Sequence, residues 1–575
     1  MTLRRVKEIL VLTVAALVLS FPIFVHGPLL AGHDTKEHLS FGASFAEQFW
    51  QGELYPRWLL NMNSGLGSAS FFVYPPFPSY VYALLLPVTR IIPVNAFGLG
   101  EYLCLFTSGL SAFLWMTTLV SRQISLFVAM IYMLLPYHLT IDFCRRGALS
   151  EGWALAWMPL VLYFTTQAVR EGRNARTRFC LVGLALTYAL LIVSHLVSVV
   201  MLSALPLLLA LTIAERGHKT RALLTAVGGM ALGTLISAAY LAPAFANAKY
   251  FPVSRLEIPI DNGPQGDLLD FGWVLLTEHS AKSPFIRAVS LATADMVLFL
   301  GLCGFVALTK GARSRRGQTL LWLAVCPIPI FLMSGASQWL WGVLPLLASA
   351  VQFPFRFDVL LCVAALPLTA FLLTDLMQLP ARSRVTLMVV VCLFAATWFG
   401  GYVRAARSLV RDQNNEGSSL SVYDGWFAAW TAHGTDRVSA MLASTGPQAG
   451  FVEGEGSAEV VLWRPRQIEV LTDCDACRPL VVKQLYYPKW QAKLLPEGIP
   501  LPVGPELPQG LLEVQAPPGR HQILVEMPRS LDEEIGSWLS ALGILICGVL
   551  AVSGLVCARS GRAAQIEAAR VHASD

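Results

Sequence analysis

Residues 178–213 read RFCLVGLALTYALLIVSHLVSVVMLSALPLLLALTI, and beyond Arg178 they carry no Asp, Glu, Lys or Arg. A helix crosses the hydrocarbon of a bilayer in about 20 residues, so this run is too long for one crossing. The polar pair Ser194-His195 divides it into crossings at 178–194 and 197–213. Two apolar helices set end to end need a membrane as their solvent. The rest of the chain reads the same way. Of its 575 residues 55% are hydrophobic and 14% charged, where soluble domains carry about 25% charged residues. A net charge of +5, spread along the chain, gives no nucleic-acid footprint. Nine of the eleven cysteines lie in or beside apolar runs, where they serve as small side chains.

Working outward, apolar runs of spanning length fall near 97–119, 124–142, 153–169, 222–244, 289–309, 319–333, 356–377, 384–402 and 537–557. The run Ile9–Val25 follows Arg4, Arg5 and Lys7 without a clean small-x-small cleavage site, and reads as an uncleaved first helix. The basic stretches Arg170–Arg178, Glu215–Arg221, Lys310–Arg316, Arg382–Arg384 and Arg559–Arg562 all face the cytoplasm if 77–119 supplies one crossing. The segment 77–92 is then a re-entrant or surface helix. The expectation is a polytopic α-helical membrane protein of about twelve transmembrane helices with both termini inside. Loop 26–76, the turn 145–152, loop 245–288 and segment 404–535 lie on the extracytoplasmic side.

The last of these is long enough for a domain. Ala458–Leu471, Leu480–Tyr487 and Gly519–Met527 alternate β-branched and aromatic residues between Pro/Gly turns, which predicts a small β-sandwich. The domains read as 1–403 transmembrane, 404–535 extracytoplasmic and β-rich, 536–558 a final span, and 559–575 a cytoplasmic tail. Cys474 and Cys477 fall in this β-rich part. They lack the further thiols or imidazoles of a closed zinc site, and read as a structural disulfide or two free thiols.

The first outer loop opens Gly32-His33-Asp34-Thr35-Lys36-Glu37-His38. On a helix Asp34 and His38 share a face, as do His33 and Glu37. A carboxylate there can be a general base or a ligand for a divalent cation, or the loop is simply charged and solvated. The Asn61–Gly67 stretch, followed by Phe71–Pro76, suits either a sugar groove or a loop packed at the interface. Arg145, Arg146 and Glu151, His195 at its helix break, and Arg356 in Gln352–Asp358 lie on the same side. Each has a mundane reading as a snorkelling or capping group. Together they put ionisable groups at one face, where arginines can grip a phosphate.

His33-Asp34-x-x-x-His38, Arg146-Gly147-Ala148 with Glu151, Ser194-His195 and the QFPFRF run at 352–357 resemble a known group of bacterial integral membrane proteins. These are the 6-pyruvoyl-tetrahydropterin-synthase-related, YfhO-like proteins, placed in the GT-C superfamily. Tyr486-Tyr487-Pro488-x-Trp490 and Pro517-Pro518-Gly519-x-His521 resemble their β-domain. The family name is a domain label and carries no pterin chemistry. The resemblance implies a glycosyltransferase of inverting GT-C type. It would move a sugar from a polyprenyl-phosphate donor to a glycan or lipid acceptor of the cell envelope, at the outer face of the cytoplasmic membrane. Asp34 would be its catalytic carboxylate, assisted by Glu37. His33, His38, Arg146, Glu151, His195 and Arg356 would bind substrate or phosphate. The chain has no adjacent Asp-Asp or Asp-Glu pair in this loop, so the divalent cation stays an open alternative. Rival readings are a lipid or polysaccharide flippase and a non-catalytic envelope scaffold. Charges at the rim and the lack of an evident internal repeat favour the enzyme over the flippase.

Overall fold

The computed structural model describes residues 3–89, 91, 95–170, 175–251, 267–269, 271, 283–416, 448–451, 456–507 and 510–572. Most of the loop expected at 245–288 and residues 417–447 of segment 404–535 therefore lie outside the described residues, while 404–416 continue the helix Ala381–Glu416. Among those described, ten helices are long and apolar enough to cross a membrane. An eleventh crossing is a broken one, Arg216–Ile236 with Ala238–Tyr250, bent by 72°. Helix Leu149–Arg170 is less apolar but has 22 residues, about 33 Å, and packs between Ala96–Met116 and Ala175–Ser194. With it the crossings match the twelve read from the sequence. The chain is a polytopic helical membrane protein with antiparallel sheets near its C-terminus.

Three of the departures from the expected spans have identifiable causes. Pro136 follows Leu135 and opens a π-helix, Pro136–Arg146, in place of the expected straight helix to 142. Gly147 ends it in the left-handed region at φ +65°, where a Cβ would stand 2.0 Å from Thr35 Oγ1. The span drawn at 222–244 breaks at Ser237, and the final helix begins at Leu531 rather than near 537. Glu533 supplies one half of a capping box there, its Oε2 accepting from the Ser530 N–H (3.1 Å) and hydroxyl (2.9 Å), while its own N–H donates to the Ser530 backbone carbonyl (2.9 Å). Ser540 of that helix satisfies the Ser237 break, donating to the Ile236 carbonyl (2.6 Å) and accepting from the Ala239 N–H (2.8 Å). Gly536 permits this approach, since a Cβ would meet the Ala238 carbonyl at 2.6 Å. Among the described residues of segment 77–92 the helix is the short apolar Phe77–Thr89.

Among the described residues nine strands form two antiparallel sheets. One runs β1 (Ala449–Phe451), β4 (Arg478–Leu485), β8 (Leu511–Ala516), β7 (Val503–Glu506). The other runs β2 (Gly456–Arg464), β3 (Gln467–Cys474), β9 (Gly519–Glu526), β5 (Gln491–Leu495), β6 (Ile499–Leu501). Alternation buries Ile468, Val470, Ile523 and Val525 from one sheet against Leu480, Val482, Leu512 and Val514 from the other. Cys474 is buried and Cys477 exposed, and neither is in a disulfide.

The first loop enters this sandwich. Trp58, Leu66 and Phe72 belong to its core, Trp58 Nε1 donates to Gln484 Oε1 (2.8 Å), and the Leu485 N–H donates to the Leu66 carbonyl (2.6 Å). Phe72 stacks on Tyr487 at 5.2 Å, and Phe71 packs with Phe41 and Phe45. These aromatics are packing residues, so the loop at 61–76 is a folded seam and not an open groove. Beside it Glu533 pairs with Arg57 (3.1 Å) and Arg466 (2.9 Å), both nearly buried, while Lys489 pairs with Asp532 (2.8 Å). Loop, β-domain and last helix are thus joined by ion pairs shielded from solvent.

Candidate active site at the mouth of the bundle

Asp34 stands at the N-cap position of helix Thr35–Trp50, at the end of the first loop's opening turn, and its side chain makes no capping bond. Its N–H donates to the Arg146 carbonyl (2.7 Å), and the His33 N–H to the Arg145 carbonyl (3.3 Å). The turn is therefore held against the end of the π-helix by its backbone. The side chains repeat the contact: Arg146 Nη2 lies 3.1 Å from Asp34 Oδ2. Asp34's side chain keeps 34% of its surface exposed and Arg146's keeps 4%, so the carboxylate sits at the mouth and the guanidinium behind it.

Arg146 Nη1 reaches two more carboxylates, Asp142 Oδ1 at 2.7 Å and Glu151 Oε2 at 2.8 Å. Glu151 lies in the first turn of Leu149–Arg170, which the Gly147 turn aims back at the π-helix. The Tyr137 hydroxyl donates to Glu151 Oε1 (2.8 Å). From the far side comes Arg356, on the short 3-10 turn Pro354–Phe357. Its Nη1 donates to the Val351 carbonyl and to Gln352 Oε1, both at 3.0 Å. Its Nε stands 3.6 Å from Glu151 Oε2, beyond hydrogen-bond length, and has no hydrogen-bond partner among the described residues. Gln352 holds this arrangement with φ +64°, a strained backbone for a non-glycine residue. A row of rings lines the same space: His33 on Phe285 (4.4 Å), Phe285 on Phe355 (5.4 Å) and Phe355 on Phe353 (5.4 Å).

Residues 71–401 match the family described as the 6-pyruvoyl-tetrahydropterin synthase related domain, a membrane protein. The chain belongs to this family. The match takes in Arg146, Glu151, His195 and Arg356 of this 6-pyruvoyl-tetrahydropterin-synthase-related protein, while Asp34 and the β-domain lie outside it. No curated protein matches the chain. Among solved structures it is similar to the Archaeoglobus fulgidus oligosaccharyltransferase in its apo form, with 12% identity and a TM-score of 0.40 over 75% of this chain. It spans 57% of that enzyme's length.

The structure of this 6-pyruvoyl-tetrahydropterin-synthase-related protein brings together Asp34, Arg146, Glu151 and Arg356. His195 lies within electrostatic range of Glu151 and Arg356, with Nδ1 2.8 Å from the Ser198 hydroxyl. His33 is exposed beside Asp34. Glu37 is half-buried one turn into its helix, near Tyr74, and is not among the carboxylates on Arg146. His38 faces inward onto Tyr74; burial lowers its pKa to about 4, so it is neutral at pH 7. Among the described residues no three His, Cys, Asp or Glu side chains are set to share a metal ion. Asp34, Asp142 and Glu151 close on a guanidinium instead, so they do not fit a divalent cation and no step below runs through one. Sequence reasoning missed Asp142, Tyr137 and Phe285. The spacing Asp142-x-x-x-Arg146 was the available signal, hidden because the stretch was read as an ordinary apolar span.

Proposed function

We propose that this protein is a membrane glycosyltransferase of inverting type. It moves a sugar from a polyprenyl-phosphate donor to a glycan or lipid acceptor of the cell envelope, on the outer face of a bacterial cytoplasmic membrane. One observation carries the reading: a part-exposed carboxylate, Asp34, is fixed at the mouth of the bundle within electrostatic range of the buried, incompletely bonded Arg356.

The chemistry follows from that pairing. Asp34 accepts the proton of the acceptor hydroxyl as its oxygen bonds to the anomeric carbon from the face opposite the phosphate. The bond from that carbon to the phosphate oxygen breaks, and the polyprenyl phosphate leaves with the electron pair, inverting the centre. Arg356 neutralises the charge that grows on the leaving phosphate. His33 stands beside the base with its ring open to the acceptor, and His195 lines the inner wall. Glu37 tunes the field at Asp34 from one turn away. The ring row from His33 to Phe353 offers apolar surface to the sugar face and the first isoprene units.

The test is Asp34→Asn, which keeps shape and removes the charge. Loss of a general base costs about 10²–10⁴-fold in rate. Transfer of labelled sugar from a polyprenyl-phosphate donor, in membranes carrying equal amounts of protein, should fall by that factor. Near-parental transfer would remove Asp34 from the mechanism, and absence of transfer by the parent protein would remove the enzymatic reading.

A further inference from the structure

The two site arginines present different faces to the space between them. A guanidinium has five N–H donors in a fixed fork. Arg146 spends Nη1 on Asp142 (2.7 Å) and Glu151 (2.8 Å) and Nη2 on Asp34 (3.1 Å), and its plane lies 5.5 Å from the centre of the Phe355 ring. Asp142 and Glu151 are buried on either side of it. A phosphate approaching Arg146 would find both of its Nη groups already bonded to acidic side chains, Asp142, Glu151 and Asp34. Arg356 makes no hydrogen bond to a carboxylate among the described residues: Glu151 stands 3.6 Å from its Nε, and Asp34 acts on it only at longer range. Its Nη1 is anchored on Val351 and Gln352, while Nε, on the edge that grips oxyanions side-on, makes no hydrogen bond among the described residues.

We infer that Arg146 is a positioning residue and not a phosphate ligand: Asp142 and Glu151 lock its guanidinium, which in turn holds Asp34 at the mouth, and recognition of the lipid phosphate falls to Arg356. Asp142 enters the site in this way as a second positioning residue. It is reached through Arg146 and touches no reactant. The inference rests on the glycosyltransferase reading for the role of Asp34, but the division between the arginines is a matter of binding alone.

The experiment measures two quantities on the full-length protein in detergent or nanodiscs. The first is the Kd for undecaprenyl phosphate. The second is kcat and KM for sugar transfer from a polyprenyl-phosphate donor. Arg356→Lys keeps the charge and loses the fork, so Kd should rise about tenfold or more. Arg146→Lys and Asp142→Asn should leave Kd within about twofold, because neither side chain meets the phosphate. Both should lower kcat with donor KM unchanged, Arg146→Lys by about 10²-fold, as expected when a base is misplaced by about 1 Å. Retained undecaprenyl-phosphate binding certifies folding in Arg146→Lys and Asp142→Asn, a parental melting temperature certifies it in Arg356→Lys, and Asp142→Asn, which keeps side-chain volume, serves if Arg146→Lys does not fold. Weakening of binding by Arg146→Lys equal to that of Arg356→Lys overturns the inference, as does an unchanged kcat in both Arg146→Lys and Asp142→Asn. Failure of the base assignment would instead show as full transfer by Asp34→Asn, a result separable from the split in Kd.

Discussion

Replacing Glu533 by Ala tests how firmly the first loop is tied to the β-domain. Glu533 accepts from Arg466 through both oxygens (3.0 and 2.9 Å) and pairs with Arg57 at 3.1 Å, with only 4% of its side chain exposed. Removing one partner of a buried ion pair costs about 3–5 kcal/mol, because the remaining charge is stranded. Here the stranded arginines keep other acceptors: Arg57 bonds the Ala239 carbonyl (2.6 Å), and Arg466 bonds those of Met527 (2.9 Å) and Pro528 (3.0 Å). The low end, about 3 kcal/mol, therefore applies, which is about 10²-fold in the population of separated forms. The Leu485 amide reports that opening directly, since its N–H is held by the Leu66 carbonyl across the seam (2.6 Å). Hydrogen exchange at Leu485, read by mass spectrometry, should accelerate by about 10²-fold in Glu533→Ala while amides inside the sheets change little. Acceleration below about threefold would refute the reasoning, since the ion pairs would then contribute nothing to docking.

Three further outcomes follow from other sites. His38 is held near pKa 4 by burial against about 6.5 unfolded, so the unfolded chain binds more protons between those values; stability should fall by about 3 kcal/mol as pH drops from 6.5 to 4 and level off below, and thermal unfolding of His38→Asn should lack that part of the pH dependence. Glu101 is buried in helix Ala96–Met116 with Oε2 unbonded among the described residues, so Glu101→Gln should match or exceed the parent's melting temperature in detergent; a loss above about 1 kcal/mol would mean the charge is used. Gly147→Ala places a Cβ against Thr35 Oγ1 at a left-handed position, which costs about 1–2 kcal/mol from backbone alone, and should lower sugar transfer in membranes by displacing the Asp34 turn while most protein stays inserted.

The spans were legible because a bilayer admits few alternatives: long apolar runs and their basic flanks carry the signal, and His195 breaks its pair of helices where the sequence placed the break. The π-helix was not legible, since Pro136 and a run of apolar residues are equally compatible with a kinked α-helix. The break at Ser237 depends on Ser540, 301 and more residues away along the chain from the groups it bonds, and no local pattern announces it. Within the site the ionisable types were visible one by one. What the sequence did not contain was their partner list: Asp34 and Arg146 are 112 residues apart, and only tertiary packing makes Arg146 a clamp for three carboxylates. The aromatic loop at 61–76 misled for a related reason, because a residue facing a sugar and one facing a sheet have the same composition.

The seam between loop and β-domain has a consequence for biosynthesis. Trp58 hydrogen-bonds Gln484, 426 residues later. At about 5–20 residues per second of synthesis, the loop that carries Asp34 waits roughly 20–90 s for the strands that complete its core. During that interval Trp58 and Phe72 have no sandwich to enter, and the bilayer interface is the natural place for such rings to rest. A chain interrupted between Glu416 and Glu533 would already hold most of its helices, yet its mouth would be unfinished. Segments made this late thus determine when the first loop becomes a working surface.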